Sequence, residues 1–128
     1  MAKIITAAEA ADLIRDGMTL GVSGFGAFAS PDCVMEAMSR KFKEQNTPRD
    51  LTIVSGVAPG DFVEDGCGLS KIRDAGIIKT LIASHLRMSP AIGRACSENK
   101  IAAFSMPHGV YGQLMNAIGG KSPGILTH

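Results

Sequence analysis

The sequence predicts an α/β fold, a mostly parallel open sheet with alternating helices. Three observations carry that expectation. Short apolar runs of strand length, at 19–22, 51–54, 77–83 and 101–104, alternate with segments whose apolar residues recur at helical spacing. Each run leads to a serine just before a loop: Ser23, Ser55, Ser84 and Ser105. Two helical segments open on Ser-Pro (Ser30-Pro31 and Ser89-Pro90), a capping side chain followed by the residue whose fixed φ suits a first turn. Strands alternating with helices in this way pair in parallel through right-handed crossovers.

Taken in order, Thr6 and Glu9 have capping-box spacing, and Ala7, Ala10, Ala11 and Ile14 then share one apolar face before Gly17. The strand at 19–22 runs into the glycine loop Ser23-Gly24-Phe25-Gly26. The helix after Ser30-Pro31 turns Val34, Ala37, Met38 and Phe42 inward and frays at Asn46-Thr47-Pro48. A second strand ends at Ser55-Gly56, and 57–68 reads as a long loop rich in glycine and acid. A short helix at 69–75 closes at Gly76 before the third strand. Ile92, Ala95 and Cys96 mark the helix after Ser89-Pro90, and 101–104 is the fourth strand. Tyr111, Leu114, Met115 and Ile118 define a last helix stopped by Gly119-Gly120, and 124–127 begins a fifth strand.

At 128 residues the chain suits one domain, and 45% hydrophobic content with 20% charge excludes disorder as its main character. A net charge of +1 gives no electrostatic case for a nucleic-acid or membrane-surface partner. No apolar run reaches the roughly 18 residues of a membrane span, so a cytoplasmic location is expected. Cys33, Cys67 and Cys96, with His85, His108 and His128, show no metal-ligand spacing. Neither a metal nor a tightly bound cofactor is expected.

In an open parallel sheet, ligands sit beyond the carboxyl ends of the strands. Four serines there either line a polar crevice or simply end strands by bonding to backbone, and the pattern leaves both readings open. Strand, glycine turn and helix start at 19–31 aim free backbone amides at whatever occupies the turn. The glycines stand at 21, 24 and 26, not in Gly-x-Gly-x-x-Gly order, and no acid closes the second strand. A nicotinamide cofactor is therefore disfavoured.

The run from Asp16-Gly17 through Ser23-Gly24-Phe25-Gly26 to Pro31 resembles the amino-terminal signature of the family I coenzyme A transferases, the acetate, propionate and 3-oxoacid type. The likeness continues through Pro48-Arg49-Asp50-Leu51-Thr52-Ile53, Ser84-His85, Glu98-Asn99-Lys100, Pro107-His108-Gly109-Val110 and Ser122-Pro123-Gly124-Ile125. It implies a three-layer sandwich of the CoA-transferase and isomerase-like kind, incomplete here. Residues 1–128 would be the amino-terminal portion of the first domain, and the remainder and the catalytic half would lie elsewhere. It also implies transfer of coenzyme A between an acyl-CoA and a short-chain carboxylate such as acetate, propionate or acetoacetate, with coenzyme A as substrate. The partners implied are the catalytic half of the same enzyme and, at full length, further copies in a homo-oligomer.

By that resemblance, Gly24, Phe25 and Gly26 form the acyl-site wall and its backbone donors. Ser23, His108 and Gly109 stand near the substrate carboxylate or carbonyl. His108 occupies a position where the family usually carries glutamine. The family's nucleophile is a glutamate of its second half. Ser97-Glu98-Asn99-Lys100 imitates that glutamate's signature, but it closes a helix, where a solvated acid is expected. The alternative from another class is a non-catalytic domain binding sugar phosphates or other small ligands. It is disfavoured because no basic residue stands between Asp16 and Arg40.

Overall fold

The computed structural model describes residues 3–127. The elements run α1 (Ala7–Asp12), β1 (Thr19–Val22), α2 (Asp32–Gln45), β2 (Leu51–Ser55), a 3-10 turn (Gly68–Ile72), β3 (Ile78–Ala83), α3 (Pro90–Ser97), β4 (Ala102–Ser105) and α4 (His108–Gly119). The four strands form one parallel sheet in the order β1-β2-β3-β4. Every strand therefore ends at the same edge, and every loop after a strand gathers there.

Alternation along the strands sorts residues between two faces. Leu51, Ile53 and Ser55 of β2 are buried, as are Leu81 and Ala83 of β3, and they share one core with Ala11, Met35, Met38, Leu69, Ile72 and Ile92. α1, α2, the 3-10 turn and α3 thus pack on one side of the sheet. In register, Gly21, Val54, Ile82 and Phe104 form a row on the opposite side, where Phe104 is exposed. Burying one leucine or isoleucine side chain contributes about 1.5–3 kcal/mol, so the inner row is the main source of stability.

Local chemistry fixes the ends of the helices. Thr6 and Glu9 form the reciprocal capping box, with the Thr6 amide donating to Glu9 Oε2 at 2.8 Å and the Glu9 amide donating to Thr6 Oγ1 at 3.2 Å. Those bonds hold the Glu9 carboxyl below its ordinary range. α2 closes on Asn46 in the left-handed region, its N–H donating to Phe42 O at 2.7 Å, a defined cap where fraying was expected.

Other expectations change. Ser30 does not cap α2: the helix begins at Asp32, whose Oδ1 accepts the Gly68 N–H at 2.9 Å. Ser89 sits at the start of α3, but its hydroxyl donates to Pro59 O at 2.8 Å instead of to the helix. The segment 57–68 is the expected long loop, but its two ends are buried: Val57, Ala58, Pro59, Gly60 and Gly68 pack inside, with the Ala58 N–H donating to His85 O and the Phe62 N–H to Met88 O, while 61–67 are exposed or half-buried. The short helix at 69–75 is instead one 3-10 turn, Gly68–Ile72. Residues 124–127 form no strand, because β1 pairs only with β2 and β4 only with β3 among the described residues.

Glycine spacing reports how tightly segment 57–68 is held. A Cβ at Gly60 would overlap the Met88 carbonyl and Ser89 Oγ, and one at Gly68 would overlap the Pro59 carbonyl. A Cβ at Gly21, on the open side of the sheet, meets nothing within 4 Å. Gly60→Ala is therefore expected to cost at least about 2 kcal/mol, because backbone must move to admit the methyl. Gly21→Ala should be neutral or stabilise by up to about 1 kcal/mol. Urea midpoints of the two variants check this, and equal midpoints would contradict the buried path of 57–60.

Candidate active site at the strand carboxyl ends

Beyond β1 the chain folds into a tight turn closed by two backbone bonds of 3.1 Å, Phe25 N–H to Phe28 O and Phe28 N–H to Phe25 O. Gly24 enters this turn at φ 125°, and a Cβ there would press on Ser30 Cα, Phe28 O and Pro59 Cβ at 3.2–3.3 Å. The Gly26 N–H donates to Met88 Sδ at 3.3 Å, and Gly26 O accepts the Gly60 N–H at 3.1 Å. The turn is thus pinned from below by segment 57–60 and Met88. Its two phenylalanines stand at the surface, Phe25 61% and Phe28 81% exposed.

The serines resolve into two kinds. Ser55 Oγ donates to Val22 O at 2.7 Å, Ser84 Oγ to Gly56 O, and Ser105 Oγ to Ser84 O at 3.0 Å. Each hydroxyl reaches sideways to a carbonyl of the preceding strand's end. These three tie the sheet edge together and are not free for a ligand. Ser23 is exposed and lines the crevice with its neighbours.

His108 opens α4 and lies over the end of β2. Its Nδ1 is 3.1 Å from Gly56 O and 3.5 Å from Ser84 Oγ. A Cβ at Gly56 would come within 2.9 Å of His108 Cε1 and 3.4 Å of the Tyr111 ring, so both rings lie close over Gly56. His108 and Tyr111 stand with ring centroids 6.3 Å apart.

These parts line an open surface cavity of about 420 Å³, bordered by Val22, Ser23, Gly24, Phe25, Phe28, Ala29, Gly56, His108 and Tyr111. That volume lies within the usual range for small-molecule sites. Of the residues singled out from sequence, Ser23, Gly24, Phe25 and His108 come together here. Gly26 supports the wall from behind, and Gly109 does not reach the cavity lining. The expected amide donors of the glycine loop are partly spent, since the Phe25, Gly26 and Phe28 N–H groups all bond within the protein. Sequence reasoning missed Gly56, Phe28 and Tyr111. Gly56 was visible as the residue after a strand-ending serine, and Tyr111 as the residue one helical turn from His108.

No Asp, Glu, Lys or Arg lines this cavity. Glu98 sits at the opposite edge of the sheet, beside Ile78 and Ile101, in a charged cleft with Arg73, Arg94 and Lys100. Lys100 Nζ contacts its carboxylate at 2.6 Å, and that hydrogen bond and charge hold Glu98 below the ordinary carboxylate range. Burial, then the nearby Asp61 and Asp32 charges, push the Cys67 thiol up, away from a reactive thiolate. Among the described residues no group of three His, Cys, Asp or Glu side chains could hold a metal ion, and no helix is long and apolar enough to cross a membrane; His128 lies outside them.

Comparison with known proteins points the same way. Residues 4–128 match the family described as "Coenzyme A transferase". The chain is 37% identical over 127 residues to the caffeate CoA-transferase of Acetobacterium woodii, covering 99% of this chain and 24% of that protein. It is 29% identical to the acetate CoA-transferase subunit alpha of Escherichia coli K12, over 98% of this chain and 53% of the subunit. The solved acyl-CoA transferase YdiF of E. coli O157:H7, in a thioester complex with CoA, superposes with a TM-score of 0.88 at 34% identity. That match spans 94% of this chain and 25% of YdiF. The chain therefore spans about a quarter of these single-chain relatives and about half of the alpha subunit.

The serine ties carry a stability consequence. Ser55 is fully buried, so Ser55→Ala leaves the Val22 end of β1 without its donor and should cost about 1–2 kcal/mol. Ser105→Ala, at an exposed position, should cost less than about 0.5 kcal/mol. Denaturation curves of the two variants test the ranking, and a neutral Ser55→Ala would contradict it.

Proposed function

The chain belongs to the coenzyme A transferase family, and from that premise we propose that it forms the acyl- and carboxylate-binding wall of a short-chain acyl-CoA:carboxylate CoA-transferase. The observation that carries this reading is the uncharged, aromatic-walled cavity at the strand carboxyl ends, with Ser23, His108 and Tyr111 as its polar side chains. Phe25 and Phe28 offer apolar surface to an acyl chain. Ser23 and His108 offer hydrogen bonds to a carboxylate or thioester carbonyl. With no Lys or Arg in the lining, the cavity suits a small carboxylate better than a sugar phosphate, which calls for fixed positive charge.

The chemistry proposed is ping-pong transfer through a glutamate. Its carboxylate attacks the acyl-CoA thioester carbonyl, giving an acyl-glutamyl anhydride and releasing CoA thiolate. The thiolate then attacks the glutamyl carbonyl, forming a glutamyl-CoA thioester and freeing the first carboxylate. An acceptor carboxylate reverses both steps and leaves as the new acyl-CoA. None of this chain's own glutamates lines the cavity, so the nucleophile is assigned to a catalytic half outside residues 1–128, in the same enzyme. On this reading the 128 residues are the amino-terminal part of the first domain, and the complete enzyme is an oligomer in the cytoplasm.

Two results test the reading together. In NMR titrations the chain alone should bind propionate and show no comparable affinity for a sugar phosphate. Mixed with propionyl-CoA and labelled acetate, it should exchange no label into the thioester. Preference for the sugar phosphate would overturn the carboxylate-site reading, and measurable exchange would overturn the assignment of the nucleophile elsewhere.

A further inference from the structure

We propose that the free edge of β4 is a self-association surface: two copies of this chain pair there antiparallel about Phe104, joining their four-stranded sheets edge to edge. This goes beyond the transferase reading above and is tested without any substrate.

β4 closes one side of the sheet and pairs only with β3 among the described residues. The Met106 N–H donates to Ala83 O, and alternation along a parallel strand then turns the backbone groups of Phe104 and Ala102 toward β3 as well. Ala103 and Ser105 therefore direct their N–H and C=O groups away from the sheet, where no further strand meets them. Such an edge is ordinarily protected by charged side chains, proline, a bulge or a covering segment. β4 has none of these. All four of its residues are exposed, its pairing with β3 runs in unbroken register, and 101–106 contain neither a charge nor a proline.

A second copy of the chain is the partner that fits this edge. In an antiparallel pair centred on Phe104, Ala103 of each copy faces Ser105 of the other, and each such pair exchanges both N–H···O bonds. Every outward backbone group of Ala103 and Ser105 is then satisfied. Centring on Ala103 instead would call on the Ile101 N–H, which already donates to Ala95 O at 3.4 Å. On the axis the two Phe104 residues form a non-hydrogen-bonded pair, the kind in which side chains stand closest, and aromatic pairs there are favourable. Phe104 is 61% exposed on the uncovered side of the sheet, at the end of the row Val54, Ile82, Phe104. The two-fold pair continues that row directly into its own copy, so apolar surface meets apolar surface and no like charges face each other within 101–106. Because the contact is isologous, it closes at two copies. Strands this short make an interface below the size of stable complexes, so association depends on concentration.

The test uses the full 128-residue chain. Sedimentation equilibrium from micromolar to millimolar concentration should show the mean mass rising from one chain toward two and stopping there. Phe104→Lys, at an exposed position, sets two cations against each other on the axis and should stay monomeric throughout. Ala103→Pro removes an outward N–H but no bond to β3, and should do the same. In a mixture of isotope-labelled and unlabelled wild-type chains, filtered NMR spectra should show a contact between Phe104 of one copy and Phe104 of the other, a readout that needs no variant. A wild-type chain still monomeric at millimolar concentration overturns the proposal and leaves the transferase reading standing. Dimers that persist in both variants, or that lack the Phe104 contact, assign the association to another surface and also overturn it. Growth beyond two copies, as when β4 pairs with β1 of the next chain, overturns it as well.

Discussion

Parallel strands that share one direction must all end at one edge, and in this protein serine hydroxyls tie those ends to one another. Ser105 reaches the end of β3, Ser84 the residue after β2, and Ser55 the end of β1. Side chains thus satisfy backbone carbonyls where the regular ladder stops, as buried carbonyls require. The ties hold the loops that make the cavity. The Gly56 carbonyl is fixed by the Ser84 amide and hydroxyl, and His108 takes its orientation from that same carbonyl. Beneath them, the buried path of 57–60 and the Met88 sulfur support the turn that carries Phe25 and Phe28. Cavity shape is in this sense a property of the sheet edge.

Much of the fold was legible because it depends on pattern. Alternation of apolar runs with helical spacing gave four strands in parallel, and the Thr6–Glu9 capping box formed as its spacing dictates. Errors arose where a tertiary partner outbid a local one. Ser89 and Ser30 both read as caps. The Ser89 hydroxyl found Pro59 O, while Ser30 Oγ lies buried without a hydrogen-bond partner among the described residues. Segment 57–68 read simply as a long loop rich in glycine and acid. Gly60 and Gly68 pass within contact of other backbone, and the burial of the segment's two ends is invisible to any one-dimensional pattern.

The position of the candidate site was legible in part. Ser23, Gly24 and Phe25 could be placed at the mouth of the crevice because a glycine turn follows a strand, and His108 joins them through the opening of α4. The four strand-ending serines looked equivalent in sequence. Only the register of neighbouring strands distinguishes the three that bond sideways from Ser23, which does not. Gly109 looked like part of the same motif, yet one residue along a helix is a rotation of roughly 100° and turns away from its neighbour's face.

The two edges of the sheet differ in chemistry as well as position. At the amino ends of β3 and β4, Arg94 pairs with Glu64 and Lys100 with Glu98, each at 2.6 Å, so cations and anions neutralise one another locally. At the carboxyl ends the cavity wall is aromatic and carries no fixed charge. The function proposed above places a small carboxylate in the cavity without fixed charge and not in the charge-paired cleft. Residue-resolved amide NMR during propionate titration distinguishes them most directly. The account predicts shifts confined to Ser23, Gly24, Phe25, Phe28, Gly56, His108 and Tyr111; shifts centred instead on Arg73, Arg94 and Lys100 would contradict it.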